Sequence, residues 1–222
     1  MGSEPLRATL KRFIVVAAFG VAFAYVEAAV VVYLRAIFHP GGFSFPLTVF
    51  SADALGERIL LTEAGREVAT IVIIFASSWL FGRVRQERFA YFLTIFAVWD
   101  IFYYVWLKVL IDWPGSIMDW DILFLIPAVW AGPVLAPVLV SLVLLAFAVI
   151  ILYRDSRGGV VRVSFVDWVG FILAGVVVVG SFCIAGGHIT EPDFGSYFYW
   201  SLFAAGLLLA AGVFVKCLLR AQ

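Results

Sequence analysis

The amino-acid sequence predicts an all-α membrane protein, a bundle of six transmembrane helices with one short interfacial or re-entrant helix. Its 222 residues are 64% hydrophobic and 14% charged, and the mean hydropathy is +1.09, unlike the composition of soluble domains. Long uncharged segments recur along the whole chain, and basic residues gather in alternate loops. Because no linker or internal repeat divides the sequence, we expect residues 1–222 to form one integral-membrane domain.

Six segments are expected to cross the membrane, because an apolar helix needs about 20 residues to span the hydrocarbon layer. The fifth segment has a clear start, since Ser164 and Asp167 form a capping-box pattern with Asp in place of Glu. The first segment ends where His39 and Pro40 begin a loop. The predicted segments are approximately 13–34, 62–82, 89–110, 133–153, 165–186 and 196–219.

One uncharged stretch does not fit this simple pattern. The 33 residues from Asp121 to Tyr153 include no charged residue other than Asp121. This segment is too long for one straight crossing and too short for two. Pro127 and Pro133 interrupt the stretch, and proline breaks helices. We therefore expect a short interfacial or re-entrant helix from Ile122 to Gly132, followed by the fourth transmembrane helix.

The distribution of basic residues predicts the orientation of the chain. Positive residues accumulate in loops on the cytoplasmic side of membrane proteins. With six crossings, both termini and two loops hold 11 basic residues, against 4 on the opposite side. This favours the cell inner membrane, with both termini cytoplasmic. The first group is Arg7, Lys11, Arg12, Arg83, Arg85, Arg88, Arg154, Arg157, Arg162, Lys216 and Arg220, and the second is Arg35, Arg58, Arg66 and Lys108.

The second helix places charged residues where the bilayer should be. Its uncharged run, Val68 to Gly82, has 15 residues and would rise only about 22 Å, against about 30 Å of hydrocarbon. The missing turn must come from the N-terminal side, which brings Glu63, Arg66 and Glu67 into the outer part of the membrane. Ionisable groups at that depth are costly and indicate a functional site.

These residues belong to a wider polar layer in the outer half of the first three helices, roofed by residues from the loops. The layer holds four carboxylates against two or three basic groups, so at least one carboxylate lacks a partner. An unpaired buried anion must be protonated, reach water, or hold a cation or a ligand group. The candidate proton donors or acceptors are Glu27, Glu63, Glu67 and Asp100. The candidate ligand-binding residues are Arg66, Tyr103, Tyr104, Lys108, Asp121 and His188.

Two other interpretations of the layer remain open. It could be an ion-pair network that fixes helix register, with Glu27 paired to Arg66 and Asp100 paired to Lys108. It could also hold Mg²⁺, Ca²⁺ or Mn²⁺ among Glu27, Glu63, Glu67 and Asp100, since these cations prefer oxygen ligands. The sequence shows no other cofactor. It lacks helical histidines for haem, a Cys/His set for zinc, a nucleophile motif and a phosphate-binding loop.

Three classes of function follow from these features. The preferred one is a membrane protein that binds or transforms a small lipophilic or amphipathic molecule through its carboxylates and tyrosines. The alternatives are a small carrier or substrate-capturing subunit of a transporter, and a non-catalytic subunit of a respiratory or photosynthetic complex that docks through the fifth and sixth helices. A net charge of zero gives no reason to expect nucleic-acid binding.

Overall fold

The structure is a computed structural model, and it describes residues 3–47 and 54–220. This part of the chain is mostly helical, with one short β-hairpin between the third and fourth helices. A single turn of 3₁₀-helix at Phe194–Tyr197 precedes the last helix. The elements are α1 (Ser3–Phe38), α2 (Ala54–Phe81), α3 (Arg85–Ile111), β1 (Trp120–Phe124), β2 (Trp130–Pro133), α4 (Leu135–Ser156), α5 (Phe165–Gly186) and α6 (Trp200–Leu219).

Five helical segments of the described chain are long and apolar enough to cross a membrane. They are Leu6–Phe38, Arg85–Ile111, Leu135–Ser156, Phe165–Gly186 and Phe194–Leu219. This confirms the expected class, a multi-pass membrane protein built as a helix bundle. The helix α2 does not belong to this set, so the predicted crossing at 62–82 is taken up below as a proposal.

The predicted short helix from Ile122 to Gly132 is wrong, because this segment forms an antiparallel β-hairpin. Asp121 pairs with Gly132 and Ile122 with Ala131, and a bulge shifts the register before Phe124. Pro127 lies in the tip of the hairpin, where its missing N–H interrupts no ladder of hydrogen bonds. The strands β1 and β2 on either side of it pair with each other, so their backbone N–H and C=O groups are hydrogen-bonded.

The helix α3 lies at the centre of the bundle and packs on α1, α2 and α4. A Cβ at Gly20 of α1 would lie 3.0 Å from Val98 of α3, so glycine is what allows these two helices to approach closely. Arg12 of α1 is 3.3 Å from Glu87 at the start of α3, so the N-terminal ends of both helices lie at the same end of the bundle. We call this the inner end and the opposite one the outer end.

The helices α5 and α6 form a second packing unit. A Cβ at Gly206 of α6 would lie 2.7 Å from the Val178 side chain of α5, which explains their close contact. At the outer end, α5 packs on strand β2. At the inner end, Trp168 of α5 meets Phe89 of α3 with ring centroids 5.7 Å apart. Between these two points α5 does not pack extensively on α3, and a space remains between them.

Candidate functional site

One large cavity runs through the bundle from its outer end to its inner end. Its volume is about 850 Å³, and residues of all six helices and of the hairpin line it. Small-molecule sites typically have volumes of roughly 300–1,000 Å³. Most of the lining is aromatic or aliphatic, especially between α3, α4 and α5, where it includes Phe96, Leu144, Phe147, Phe171 and Val178.

Charged residues line the outer part of this cavity. Arg66 of α2 pairs with Glu27 of α1, and it also lies 2.7 Å from Glu63, one turn earlier on its own helix. Thr70 Oγ1 lies 3.4 Å from the second oxygen of Glu27. The predicted pair of Glu27 and Arg66 is therefore present, and it joins α1 to α2.

The depth of these groups follows from the helices that carry them. Arg12 is the last basic residue before the apolar run of α1, and Glu27 lies about 22 Å further along the helix at 1.5 Å per residue. Glu87 lies beside Arg12, and Asp100 lies about 20 Å beyond Glu87 along α3. Both carboxylates therefore lie at nearly the same level of the bundle.

An ion pair between Arg35 of α1 and Asp121 of β1 lies at the outer end of the cavity. The Arg35 Nη2 atom is 2.9 Å from Asp121 Oδ1, and Tyr103 donates a hydrogen bond of 3.2 Å to the other carboxylate oxygen. The Arg35 guanidinium lies over the rings of Phe43 and Trp113, 4.1 Å and 3.8 Å from their centroids. These contacts bind α1, α3 and the hairpin to one another.

Glu67 connects α2 to the hairpin. Both of its carboxylate oxygens lie 2.9 Å from the backbone N–H of Leu125, at the end of β1. The adjacent Phe124 packs between Trp99 of α3 and Trp130 of β2, with centroid distances of 6.3 Å and 5.2 Å. These contacts fix the hairpin at the level of the polar layer, where Phe124, Leu125 and Trp130 line the cavity.

Asp100 occupies the middle of α3 and faces α4. Its Oδ2 atom accepts a hydrogen bond of 2.8 Å from Ser141, and its other oxygen has no hydrogen-bond partner among the described residues. Tyr104, one turn further along α3, also lines the cavity and is only 6% exposed. Its hydroxyl makes no hydrogen bond within residues 3–47 and 54–220, in contrast to the hydroxyl of Tyr103.

Acidic groups outnumber basic ones in this layer. Asp121 is paired with Arg35, while Glu27 and Glu63 share Arg66. Among the described residues, neither Glu67 nor Asp100 forms an ion pair with a basic side chain. Carboxylates therefore outnumber basic groups in this layer, as expected, and Glu67 and Asp100 are the two described members that lack a basic partner.

Two predicted site residues lie away from the cavity lining. Lys108 is exposed and pairs with Asp112 at 2.7 Å, and this contact lowers the pKa of the Asp112 carboxyl. The predicted pair of Asp100 and Lys108 is wrong, because Lys108 lies eight positions after Asp100, about 12 Å further along the helix axis, and pairs with Asp112 instead.

His188 lies in the loop before α6, where its Nδ1 atom is 2.8 Å from Glu191 and its ring stacks on Tyr197 at 3.7 Å. Hydrogen bonds from His188 and Tyr197 lower the pKa of the Glu191 carboxyl. His188 therefore belongs to an outer loop cluster. The structure brings together the other predicted site residues: Glu27, Glu63, Arg66, Glu67, Asp100, Tyr103, Tyr104 and Asp121 all line the cavity.

Sequence reasoning missed the groups that complete the polar layer. Ser141 and Thr70 supply side-chain hydroxyls, and the Leu125 amide supplies a backbone donor. Ser141 is the one polar side chain in the long apolar run of α4, and this signal could have drawn attention to it.

The carboxylates of the layer are engaged in different directions. Within the described residues, no group of three or more His, Cys, Asp or Glu side chains is arranged to hold a metal ion. Glu27 and Glu63 point to Arg66, whereas Glu67 points to the hairpin and Asp100 to α4. What the arrangement offers instead is a set of hydrogen-bonding groups at one end of an apolar cavity.

The apolar helices define the class of the molecule, a multi-pass helical membrane protein. Comparison of the chain with protein-family models, curated proteins and solved structures finds no match. Its function must therefore be argued from the cavity itself.

Proposed function

We propose that this protein binds, and possesses the groups to transform, a small amphipathic molecule within the membrane. The observation that carries the proposal is the cavity of about 850 Å³, which is charged at its outer part and apolar between α3, α4 and α5, with Arg85 and Gln86 at its inner end. A ligand with one polar end and one apolar end matches this division. Its polar end lies among the carboxylates, and its apolar end lies between α3, α4 and α5.

The proposal includes an orientation in the cell inner membrane. Because the N-terminal ends of α1 and α3 lie at the same end of the bundle, α2 must return the chain from the outer end to the inner end. We infer that α2 is the sixth crossing and that both termini are cytoplasmic. The contacts of Arg66 and Glu67 support this, because they satisfy the charged groups that the crossing brings into the membrane.

The space between α3 and α5 supplies a route from the lipid. It is bounded at the inner end by Phe89 and Trp168 and at the outer end by the hairpin tip. A lipophilic molecule can enter there without passing through water. The charged lining is concentrated in the outer part of the cavity, with Arg85 and Gln86 at its inner end. This uneven distribution favours a binding pocket over the through-path of a carrier.

Asp100 and Glu67 are the groups best placed to exchange a proton with a bound molecule. Neither is neutralised by an arginine, and both line the cavity. A carboxyl group in an apolar site can act as a general acid or base. We expect Asp100→Asn and Glu63→Gln to abolish function while the protein still inserts and folds.

The test is recovery of a bound molecule from the purified protein. The chain is extracted from membranes in a mild detergent and analysed by native mass spectrometry, and the released molecules are identified by liquid chromatography. Gly175→Leu serves to block the cavity, because Gly175 lines it and a Cβ there meets nothing within 4 Å. Gly180→Leu is the matched control on the same helix, with equally open surroundings and no part in the cavity lining.

We expect an amphipathic molecule to accompany the wild type and Gly180→Leu and to be lost from Gly175→Leu. Equal amounts of the same molecules in all three preparations would show that they come from the surrounding lipid and would contradict the proposal. Complete absence of bound molecules from the wild type would contradict it as well.

A further inference from the structure

Two polar groups at the junction of the charged and apolar parts of the cavity have unused hydrogen-bonding capacity. Asp100 Oδ1 has no partner in the described chain, and it does not belong to the fully buried side-chain atoms that lack one, so it is accessible from the space around it. The hydroxyl of Tyr104 likewise makes no hydrogen bond within that part of the protein, although the residue is only 6% exposed. Residues four apart share one face of a helix, so the two groups are neighbours on α3.

The unused groups form a complementary pair. A carboxylate oxygen accepts hydrogen bonds, and a tyrosine hydroxyl donates one and accepts others. Buried polar groups in native proteins are nearly always hydrogen-bonded, because an unmet group costs free energy. A ligand that satisfies both groups must offer a donor to Asp100 and an acceptor to Tyr104.

We propose that the cavity binds a long-chain lipid alcohol, whose hydroxyl group donates to Asp100 and accepts from Tyr104. This inference rests on the proposed function and specifies the class of its ligand. A hydroxyl group carries one donor and acceptor lone pairs on a single atom, so it satisfies both protein groups at once. Its hydrocarbon chain lies in the apolar part of the cavity, among residues such as Phe96, Leu144 and Phe147.

Other head groups fit less well. A phosphate or carboxylate head would add negative charge where Glu67 and Asp100 already lack basic partners, since Arg35 and Arg66 are engaged in ion pairs. An ammonium head has three donors and no acceptor, so the Tyr104 proton and at least one ammonium proton would have no hydrogen-bond acceptor. A carbonyl or ether head has no donor for Asp100.

The experiment uses the full chain in phosphatidylcholine nanodiscs and measures saturable binding of tritiated hexadecan-1-ol by scintillation proximity. Unlabelled hexadecan-1-ol, hexadecyl methyl ether, hexadecylamine and hexadecyl phosphate then compete for the site. All four share the same chain, so the comparison isolates the head group. The methyl ether keeps the acceptor oxygen and loses the donor.

We expect the alcohol to compete at least about tenfold more strongly than the ether, because a hydrogen bond to a carboxylate has about that effect on affinity. The amine and the phosphate should compete more weakly than the alcohol. Tyr104→Phe should weaken binding of the alcohol roughly three- to tenfold. Tyr33→Phe is its control, since Tyr33 is exposed on α1 and does not line the cavity.

Asp100→Asn should also weaken alcohol binding, by roughly three- to tenfold, because an amide has one acceptor oxygen where the carboxyl group has two and Ser141 already uses one. Asp112→Asn, at an exposed position away from the cavity lining, should leave it unchanged. The competition series on the wild type requires no substitution, so it remains decisive if a variant fails to fold.

The outcomes separate the two proposals. If the ether matches the alcohol, or if the amine or the phosphate binds more tightly, the hydroxyl ligand is wrong while the amphipathic site stands. If none of the four molecules displaces the label in a saturable manner and no molecule accompanies the purified wild type, the proposed function itself is wrong.

Discussion

Replacing Arg35 by methionine should destabilise the folded bundle by roughly 4–7 kcal/mol. Arg35 and Asp121 are 9% and 2% exposed, so the substitution leaves a buried carboxylate with Tyr103 as its remaining side-chain partner. Breaking a buried ion pair in this way typically costs about 3–5 kcal/mol. The lost contacts with the rings of Phe43 and Trp113 add about 0.5–1 kcal/mol each.

A second substitution tests whether the stranded charge is the cause. Adding Asp121→Leu to Arg35→Met removes that charge and should recover most of the loss, leaving about 1–2 kcal/mol from the ring contacts. Unfolding by sodium dodecyl sulfate in mixed micelles, followed by circular dichroism, gives the free energy of each variant. Lys108→Met is the control, since its exposed ion pair contributes at most about 1 kcal/mol. The reasoning fails if the double variant is as unstable as Arg35→Met, or if Arg35→Met resembles the control.

Three further predictions concern the hairpin and the inner end. Gly186→Ala should destabilise the protein by about 1–3 kcal/mol in the same titration, because the added Cβ would overlap the Val129 carbonyl at the hairpin tip. Gly180→Ala is the control and should have no unfavourable effect. Equal stabilities of the two variants would contradict the close contact at Gly186. Glu67→Ala should accelerate hydrogen exchange in the hairpin more than Glu67→Gln, which keeps an acceptor for the Leu125 amide; identical exchange rates would show that Glu67 does not hold the tip. Asp167→Asn should accelerate exchange in the first turn of α5, because Asp167 contacts Lys216 at 2.8 Å and completes the capping box; unchanged exchange there would contradict this role.

The sequence predicts the helices well where local signals mark their ends. The bounds of α5 agree with the prediction, because Ser164 and Asp167 form the expected capping box and glycines follow Ala185. The pair of Glu27 and Arg66 was also foreseen, since both residues are charged at the same depth of neighbouring helices. Composition and local spacing are sufficient for features of this kind.

The hairpin could not be predicted in the same way. Strand β1 is five residues long and apolar except for Asp121, and a run this short has the same appearance in a helix and in a strand. Its structure is decided by pairing with β2 and by contacts with Glu67 and Gly186, which are distant in sequence. For the same reason, the sequence analysis singled out Asp100 but did not foresee its hydrogen bond with Ser141, which lies 41 positions later in the chain.

If α2 is the sixth crossing, as proposed above, the ion pair between α1 and α2 has a consequence for biogenesis. A lone arginine at the middle of a membrane helix costs about 2.5–3.5 kcal/mol during translocon-mediated insertion, and α2 also carries Glu63 and Glu67. The ribosome delivers α1 first, so Glu27 is already within the lipid when Arg66 emerges. In that topology the first helix would supply Glu27 as an internal counter-ion for Arg66, and the two helices would enter the membrane together. A nascent chain without Glu27 is expected to leave α2 stranded at the surface, with every later helix facing the wrong way.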